Sequence, residues 1–211
     1  MAVDAAALRR MFAVVAAEMQ ANRDELCRLD GVIGDADHGI AMALGFAAAR
    51  DAVAAAEPGA EPAALLNMAA KAFLGAVGAS CGPLYATAFM RAGAAVKGKP
   101  SLDDADVVAL LQAMATGIRD RGKAEPGDKT MLDAWLPAAR AAAEAQARGS
   151  ALAACLDAAA VAAREGAEAT REMVAAKGRA ERLGERARGH VDPGAASTAL
   201  VVAAMARALA A

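Results

Sequence analysis

Eight stretches of this chain repeat apolar residues at the 3.6-residue period of a helix, and each ends at glycine, proline or a polar break. The first runs from an Asp4 cap to about Leu29, with Leu8, Met11, Phe12, Val15 and Met19 on one face. The others cover about His38 to Ala56, Glu61 to Val77, Pro83 to Val96, a Ser101/Asp103 cap to Asp120, Thr130 to Ala147, Ser150 to Ala176, and Pro193 to Ala210. Pro62 falls in a first turn, where proline is tolerated, whereas Pro137 should kink its helix unless that helix starts later. Alanine supplies much of the 57% hydrophobic content, while Val, Ile and Thr are sparse and aromatic residues make up 3%. Alanine is the strongest helix former and lets helices approach closely. The 211 residues are therefore expected to form one all-α domain, residues 1–211.

A formal net charge of -2 leaves no basic excess, which argues against nucleic acid as a partner. Cys27, Cys81 and Cys155 are an odd, widely spaced set without a CxxC pair. They point to a reducing compartment rather than to a disulfide framework or a zinc site. The N-terminus lacks the basic-then-apolar order of a signal peptide. The uncharged run from Ala72 to Met90 holds Gly75, Gly78, Gly82 and Pro83, which would break its backbone inside a bilayer. The expected location is cytoplasmic, with no membrane contact.

The stretch Leu29-Asp30-Gly31-Val32-Ile33-Gly34-Asp35-Ala36-Asp37-His38-Gly39 carries the most unusual chemistry. Asp30, Asp35 and Asp37 point in different directions on a regular helix, whereas a glycine-bent loop can turn all three inward. Converging carboxylates repel unless a cation sits between them, and an oxygen-only set suits a hard divalent ion, Mg²⁺ above all. Taken alone, the loop fits a solvated acidic turn equally well.

The order of the links separates these readings. Links after even-numbered helices, near 57–60, 98–102 and 148–149, are ordinary Gly, Pro and Ser turns. Links after odd-numbered helices are the Asp loop at 30–37, Gly78-Ala79-Ser80-Cys81-Gly82-Pro83, the segment from Gly122 to Thr130, and the long Lys177 to Asp192 segment. Alternate loops of an up-and-down bundle share an end. Four polar, glycine-rich segments thus converge on one rim, which favours a metal site.

Gly78 to Gly82 opens a helix and presents backbone N–H groups and a hydroxyl to an anion, although small residues also serve close packing. Asp128 and Thr130 read as helix caps, and Thr130 also brings a hydroxyl to the rim. Arg179 and Arg186 can meet phosphate charge or stay solvated. His190 caps the last helix or bonds a neighbouring loop. Metal-binding carboxylates beside phosphate-binding helix starts are the parts of a nucleotide-dependent phosphoryl transfer. No GxxxxGK[ST] and no HRD or DFG set is present, so a different scaffold must hold the nucleotide.

Four motifs, in order, resemble a known family. They are Gly34-Asp35-Ala36-Asp37-His38-Gly39, Gly78-Ala79-Ser80-Cys81-Gly82-Pro83-Leu84-Tyr85, Gly127-Asp128-Lys129-Thr130-Met131-Leu132-Asp133, and Gly178-Arg179-Ala180 through Gly189-His190-Val191-Asp192-Pro193-Gly194. The family is the nucleotide-binding L subunit of dihydroxyacetone (glycerone) kinase. The resemblance implies an eight-helix antiparallel barrel with ADP or ATP at one rim and two Mg²⁺ ions on Asp30, Asp35 and Asp37. It implies that His38 and the helix start Gly39, Ile40 and Ala41, with Gly78, Ala79 and Ser80, lie against the phosphates. Gly122, Thr130, Met131, Arg179, His190, Val191 and Asp192 would surround the rest of the nucleotide. It further implies a separate K-type subunit carrying the sugar and, in one variant, a phosphotransferase-system protein that rephosphorylates bound ADP. A homodimer is compatible with the sequence.

Three positions depart from the family pattern: Ala36 stands where glycine is usual, Ala41 where asparagine is frequent, and Cys81 where serine is common. They leave the sugar open, since related kinases act on erythrulose and other short sugars. Two other classes of function remain alternatives: a non-catalytic nucleotide-binding regulatory partner, and a helical scaffold whose polar rim is only capping chemistry.

Overall fold

A computed structural model of the chain describes residues 2–78 and 81–210. Among these residues the chain forms α1 (Ala5–Ala21), α2 (Arg23–Ile33), α3 (His38–Ala54), α4 (Pro62–Ala76), α5 (Cys81–Ala95), α6 (Asp104–Gly122), α7 (Leu132–Ala147), α8 (Leu152–Ala169) and α9 (Pro193–Leu209). Two 3₁₀ segments, Thr170–Glu172 and Arg179–Ala187, lie between α8 and α9. The only paired extended backbone among the described residues is one bridge between Val3 and Leu102.

The helix expected from Asp4 to Leu29 is in fact two helices and reaches Ile33. At Asn22 the side-chain amide donates to Glu18 O and to Glu18 Oε1, both at 2.9 Å, and the backbone leaves helical geometry at ψ 9°. This competition with the backbone is the usual reason asparagine interrupts helices. The ladder nevertheless continues, from Asn22 N–H to Glu18 O and from Leu26 N–H to Asn22 O. The break is a bend rather than a reversal, so α1 and α2 act as one rod and the alternation of loop ends survives.

Consecutive rods pack in order, α1 on α3, then α3 on α4 and so on to α8 on α9, and α9 returns to α1. Eight antiparallel rods therefore close into a barrel. Small side chains permit the close spacing, and every aromatic ring of the chain fills one internal cluster. Phe46 meets Phe73, Tyr85 and Phe89 edge-on at 5.2, 5.3 and 6.1 Å, Phe12 meets Phe89, and Trp135 meets Tyr85.

Two further boundaries differ from expectation. The helix placed from Ser150 to Ala176 ends at Ala169, where the Thr170 hydroxyl donates to Ala167 O at 2.6 Å and the chain tightens into a 3₁₀ turn. Its start is capped from another helix, Asp104 Oδ2 accepting from Leu152 N–H. The helix placed from Thr130 begins at Leu132 and runs through Pro137. Proline offers no N–H to Asp133 O. That carbonyl faces α8 instead at Gly166, where an added Cβ would lie 2.2 Å from it.

Gly166→Ala should thus force α7 and α8 apart and destabilise the fold by about 1–3 kcal/mol, lowering the melting temperature by roughly 2–10 °C. Gly75→Ala, in a helix end where a Cβ meets nothing within 4 Å, should be neutral or stabilising by up to about 1 kcal/mol. Thermal unfolding of both variants checks the contrast.

Candidate functional site

The four unusual links meet at one end of the barrel. A cavity of about 530 Å³ there is lined from α2 and α3, from the ends of α4, α5 and α6, from the α6–α7 link, and from residues 177–180 and 192–194. Its size suits a small-molecule ligand.

At its mouth, one carboxylate oxygen from each of Asp30, Asp35 and Asp37 lies within 4.8 Å of the others. Asp30 is buried in the last turn of α2, while Asp35 and Asp37 are exposed on the short loop before α3. Asp30 Oδ2 accepts from the backbone N–H groups of Asp37 at 3.0 Å and His38 at 3.2 Å, which ties the loop to the helix. Its other oxygen passes over Gly34, where an added Cβ would lie 2.1 Å from Oδ1. Glycine at that position is a steric requirement of the cluster. Arg179, from the 3₁₀ segment, pairs with Asp35 and reaches Asp37 at 3.6 Å. Hard oxygen donors, clustered and half exposed, suit a divalent cation such as Mg²⁺.

Helix α3 opens beside this cluster, and the Asp37 side chain makes no capping hydrogen bond to it. The positive end of a helix thereby faces the cavity mouth. The His38 ring places Nε2 2.9 Å from Ser197 Oγ, whose hydroxyl donates to Gly194 O. With the Ser197 hydroxyl committed to Gly194 O, Nε2 is the ring nitrogen that donates here, and burial lowers the His38 pKa.

Of the residues singled out from sequence, Asp30, Asp35, Asp37, His38, Ile40, Ala41, Gly78, Gly122, Thr130, Met131, Arg179 and Asp192 line the cavity. Ala79 and Ser80 lie outside the described residues. Gly39 is buried against α2, where a Cβ would meet Arg23 O at 1.9 Å, and it is not among the residues lining the cavity. His190 and Val191 are not part of the wall. Of the two roles open to His190, the α9 cap is supplied by Asp192, which accepts from Ala195 N–H at 2.8 Å, while the bond to a neighbouring loop is present, His190 O accepting from Lys129 Nζ. Nor does Asp128 cap a helix: it accepts from Glu125 N–H within the link, and Asp133 holds the N–H groups of Gly127 and Thr130. Sequence reading missed the apolar floor of Ile33, Leu44, Leu84 and Ile118, and it missed the buried Lys129. The floor carries no local signal, because its residues also satisfy helix periodicity.

Comparison with known proteins agrees with this geometry. The model of the DAK2 domain matches residues 32–207. The chain belongs to the DAK2-domain family. It is 37% identical over 202 residues to the ADP-binding subunit DhaL of PEP-dependent dihydroxyacetone kinase 2 from Listeria innocua, covering 93% of this chain and 91% of that one. It is 39% identical over 175 residues to the corresponding Escherichia coli subunit, covering 82% and 81%. The dihydroxyacetone kinase of C. freundii in complex with AMP-PNP and Mg²⁺ superposes with a TM-score of 0.71 at 27% identity, covering 94% of this chain but only 33% of that longer one.

Within the DAK2 domain, the departure at Ala36 acquires a physical meaning. Ala36 has φ 63°, a left-handed conformation that disfavours any side chain. Ala36→Gly should relieve this strain and stabilise the protein by about 1 kcal/mol, seen as a higher melting temperature.

Asp192 provides a pH signature. Burial pushes its carboxyl up to about 7, against the opposing pull of the Ala195 N–H and Lys129. A carboxyl whose folded pKa exceeds its unfolded value contributes stability at low pH and loses it as pH rises through the folded value. Asparagine caps helices equally well and does not titrate. The stability of Asp192→Asn relative to the native protein should therefore rise from about pH 4 to pH 7 and level off above, in paired thermal melts. Taking the difference removes the opposite contribution of His38, which is lost as pH falls below its ordinary value.

Proposed function

We propose that this chain is the nucleotide-binding, phosphoryl-transferring subunit of a kinase for dihydroxyacetone or a related triose or tetrose ketose. The sugar is carried by a separate K-type subunit, and the location is cytoplasmic. The observation that carries this reading is the acidic trio at the mouth of a largely apolar cavity, next to an uncapped helix start. Asp30, Asp35 and Asp37 would hold two Mg²⁺ ions. Bound there, Mg²⁺ neutralises phosphate charge as the phosphoryl group moves. The start of α3 and Arg179 offer positive potential to the phosphates. Ile40, Leu44, Leu84, Ile118 and Met131 give the nucleoside an apolar bed. PEP dependence of the Listeria and E. coli relatives supports a resident ADP that a phosphotransferase-system protein rephosphorylates. An L-erythrulose 1-kinase of Mycolicibacterium smegmatis is 38% identical over 87% of this chain, which spans 32% of that enzyme, and supports a tetrose as the other candidate sugar.

Calorimetric titration with ADP, with and without Mg²⁺, tests the nucleotide reading. Saturating Mg-ADP at about 100 times its Kd should add about 2.7 kcal/mol of stability. Asp35→Ala and Asp37→Ala should abolish that Mg²⁺-dependent gain with helix content unchanged, since both side chains are about half exposed. Native affinity in both variants would overturn the metal assignment. ADP that stays bound through desalting identifies the phosphotransferase-dependent form, whereas a nucleotide-free protein that turns over ATP with a K-type subunit identifies the exchanging form.

A further inference from the structure

Lys129 is the one fully buried lysine among the described residues, 1% exposed, and it sits in the cavity wall. No carboxylate lies within salt-bridge distance of its ammonium among the described residues. The group donates instead to two carbonyls, Thr170 O and His190 O, each at 2.5 Å. Thr170 follows the α8 helix, whose carbonyl end favours a cation, and its carbonyl accepts from both Lys129 Nζ and Met173 N–H, the latter at 3.1 Å. The same threonine accepts from Asp192 N–H through Oγ1 at 2.9 Å. Arg171 completes the junction, its backbone O accepting from Gly189 N–H at 2.8 Å and its Nη1 donating to Gly189 O at 3.1 Å. Residues 189–192 are therefore pinned to the end of α8, Gly189 by Arg171, His190 by Lys129 and Asp192 by Thr170.

The backbone of Lys129 shows what this arrangement requires. Its φ is 60°, left-handed for a residue with a long side chain. Such a conformation persists only where surrounding contacts over-determine it. Asp133 supplies part of that constraint by holding the N–H groups on either side, at Gly127 and Thr130. The link bends so that the ammonium reaches behind the cavity wall onto two carbonyls, with no carboxylate in contact.

We propose that Lys129 is a positioning residue for the nucleotide, stapling residues 190–192 to the end of α8 so that Asp192 and the neighbouring backbone hold their places around the ligand. This rests on the nucleotide reading of the cavity. It concerns the wall away from the acidic trio, so metal binding and nucleotide binding should respond differently when the staple is cut.

Lys129→Met keeps the volume and removes the donors. It should weaken ADP about 10- to 100-fold in calorimetry at saturating Mg²⁺, the loss expected for two buried charge-assisted hydrogen bonds acting at one remove. The affinity for Mg²⁺ alone, followed with Mn²⁺ as a paramagnetic probe, should be unchanged. Thr170→Val removes the Oγ1 acceptor from outside the cavity wall and should weaken ADP in the same direction. Lys129→Arg, which retains donors for both carbonyls, should recover at least part of the affinity. A lysine with a merely structural role would lower the melting temperature of the unliganded protein and leave the ADP-induced increment intact. That outcome, or native ADP affinity in both Lys129→Met and Thr170→Val, overturns the proposal. Failure of the native protein itself to bind Mg-ADP would refute the nucleotide reading instead.

Discussion

Repulsion among Asp30, Asp35 and Asp37 is the force that the rim of the barrel is arranged to contain. Two unit charges within 4.8 Å of each other repel by at least about 3 kcal/mol at an effective dielectric near 20, before screening by solvent. The chain answers with several partial compensations at once. Two backbone N–H groups point at Asp30, the positive end of α3 lies beside the loop, and Arg179 reaches across from the 3₁₀ segment to Asp35 and Asp37. None of these matches a divalent cation in charge density, which is the physical reason that oxygen donors clustered in this way suit one. Arg179 also ties the acids to the Lys177 to Asp192 segment, which carries part of the wall around the rest of the cavity.

The barrel below is built to different rules. Its rods are rich in alanine and pack closely, and at Gly45, Gly39 and Gly166 they approach so near that an added Cβ would collide with a neighbouring ring or carbonyl. Close spacing leaves little free volume, and the aromatic cluster takes what remains. Among the described residues, no non-glycine residue of these rods has a positive φ. The three non-glycine residues with positive φ among the described residues, Ala36, Lys123 and Lys129, all lie in the α2–α3 and α6–α7 links at the rim. Concentration of strain at one end of a well-packed scaffold is the pattern expected where a binding surface is held in place by the rest of the fold.

What the sequence disclosed follows from where each signal resides. Helix periodicity, the Pro62 and Asp103 starts and the glycine-rich stops are local, and α3, α4, α5, α6 and α9 lie within a few residues of where they were expected. The convergence of the odd-numbered links was also legible, because it depends only on the parity of the helices. The Asn22 bend escaped notice because asparagine is compatible with a helix until its amide turns back onto Glu18. The end of α8 at Ala169 was hidden too, since the partner that fixes Thr170, the buried Lys129, lies 41 residues away.

Lys129 illustrates the limit most clearly. In the sequence it is one more charged residue in a Gly-Asp-Lys-Thr link, where solvation is the ordinary fate of a lysine. Its burial depends on two carbonyls supplied by segments that become neighbours only when α7, α8 and α9 close the ring. A long-range contact of this kind leaves no local periodicity and no cap. The strained φ that accompanies it is a property of the folded chain, for which lysine itself has no preference. The carboxylate cluster is legible in advance because three like charges close in sequence require an explanation. A single ammonium becomes noticeable only when the surrounding structure has removed the water that would otherwise explain it.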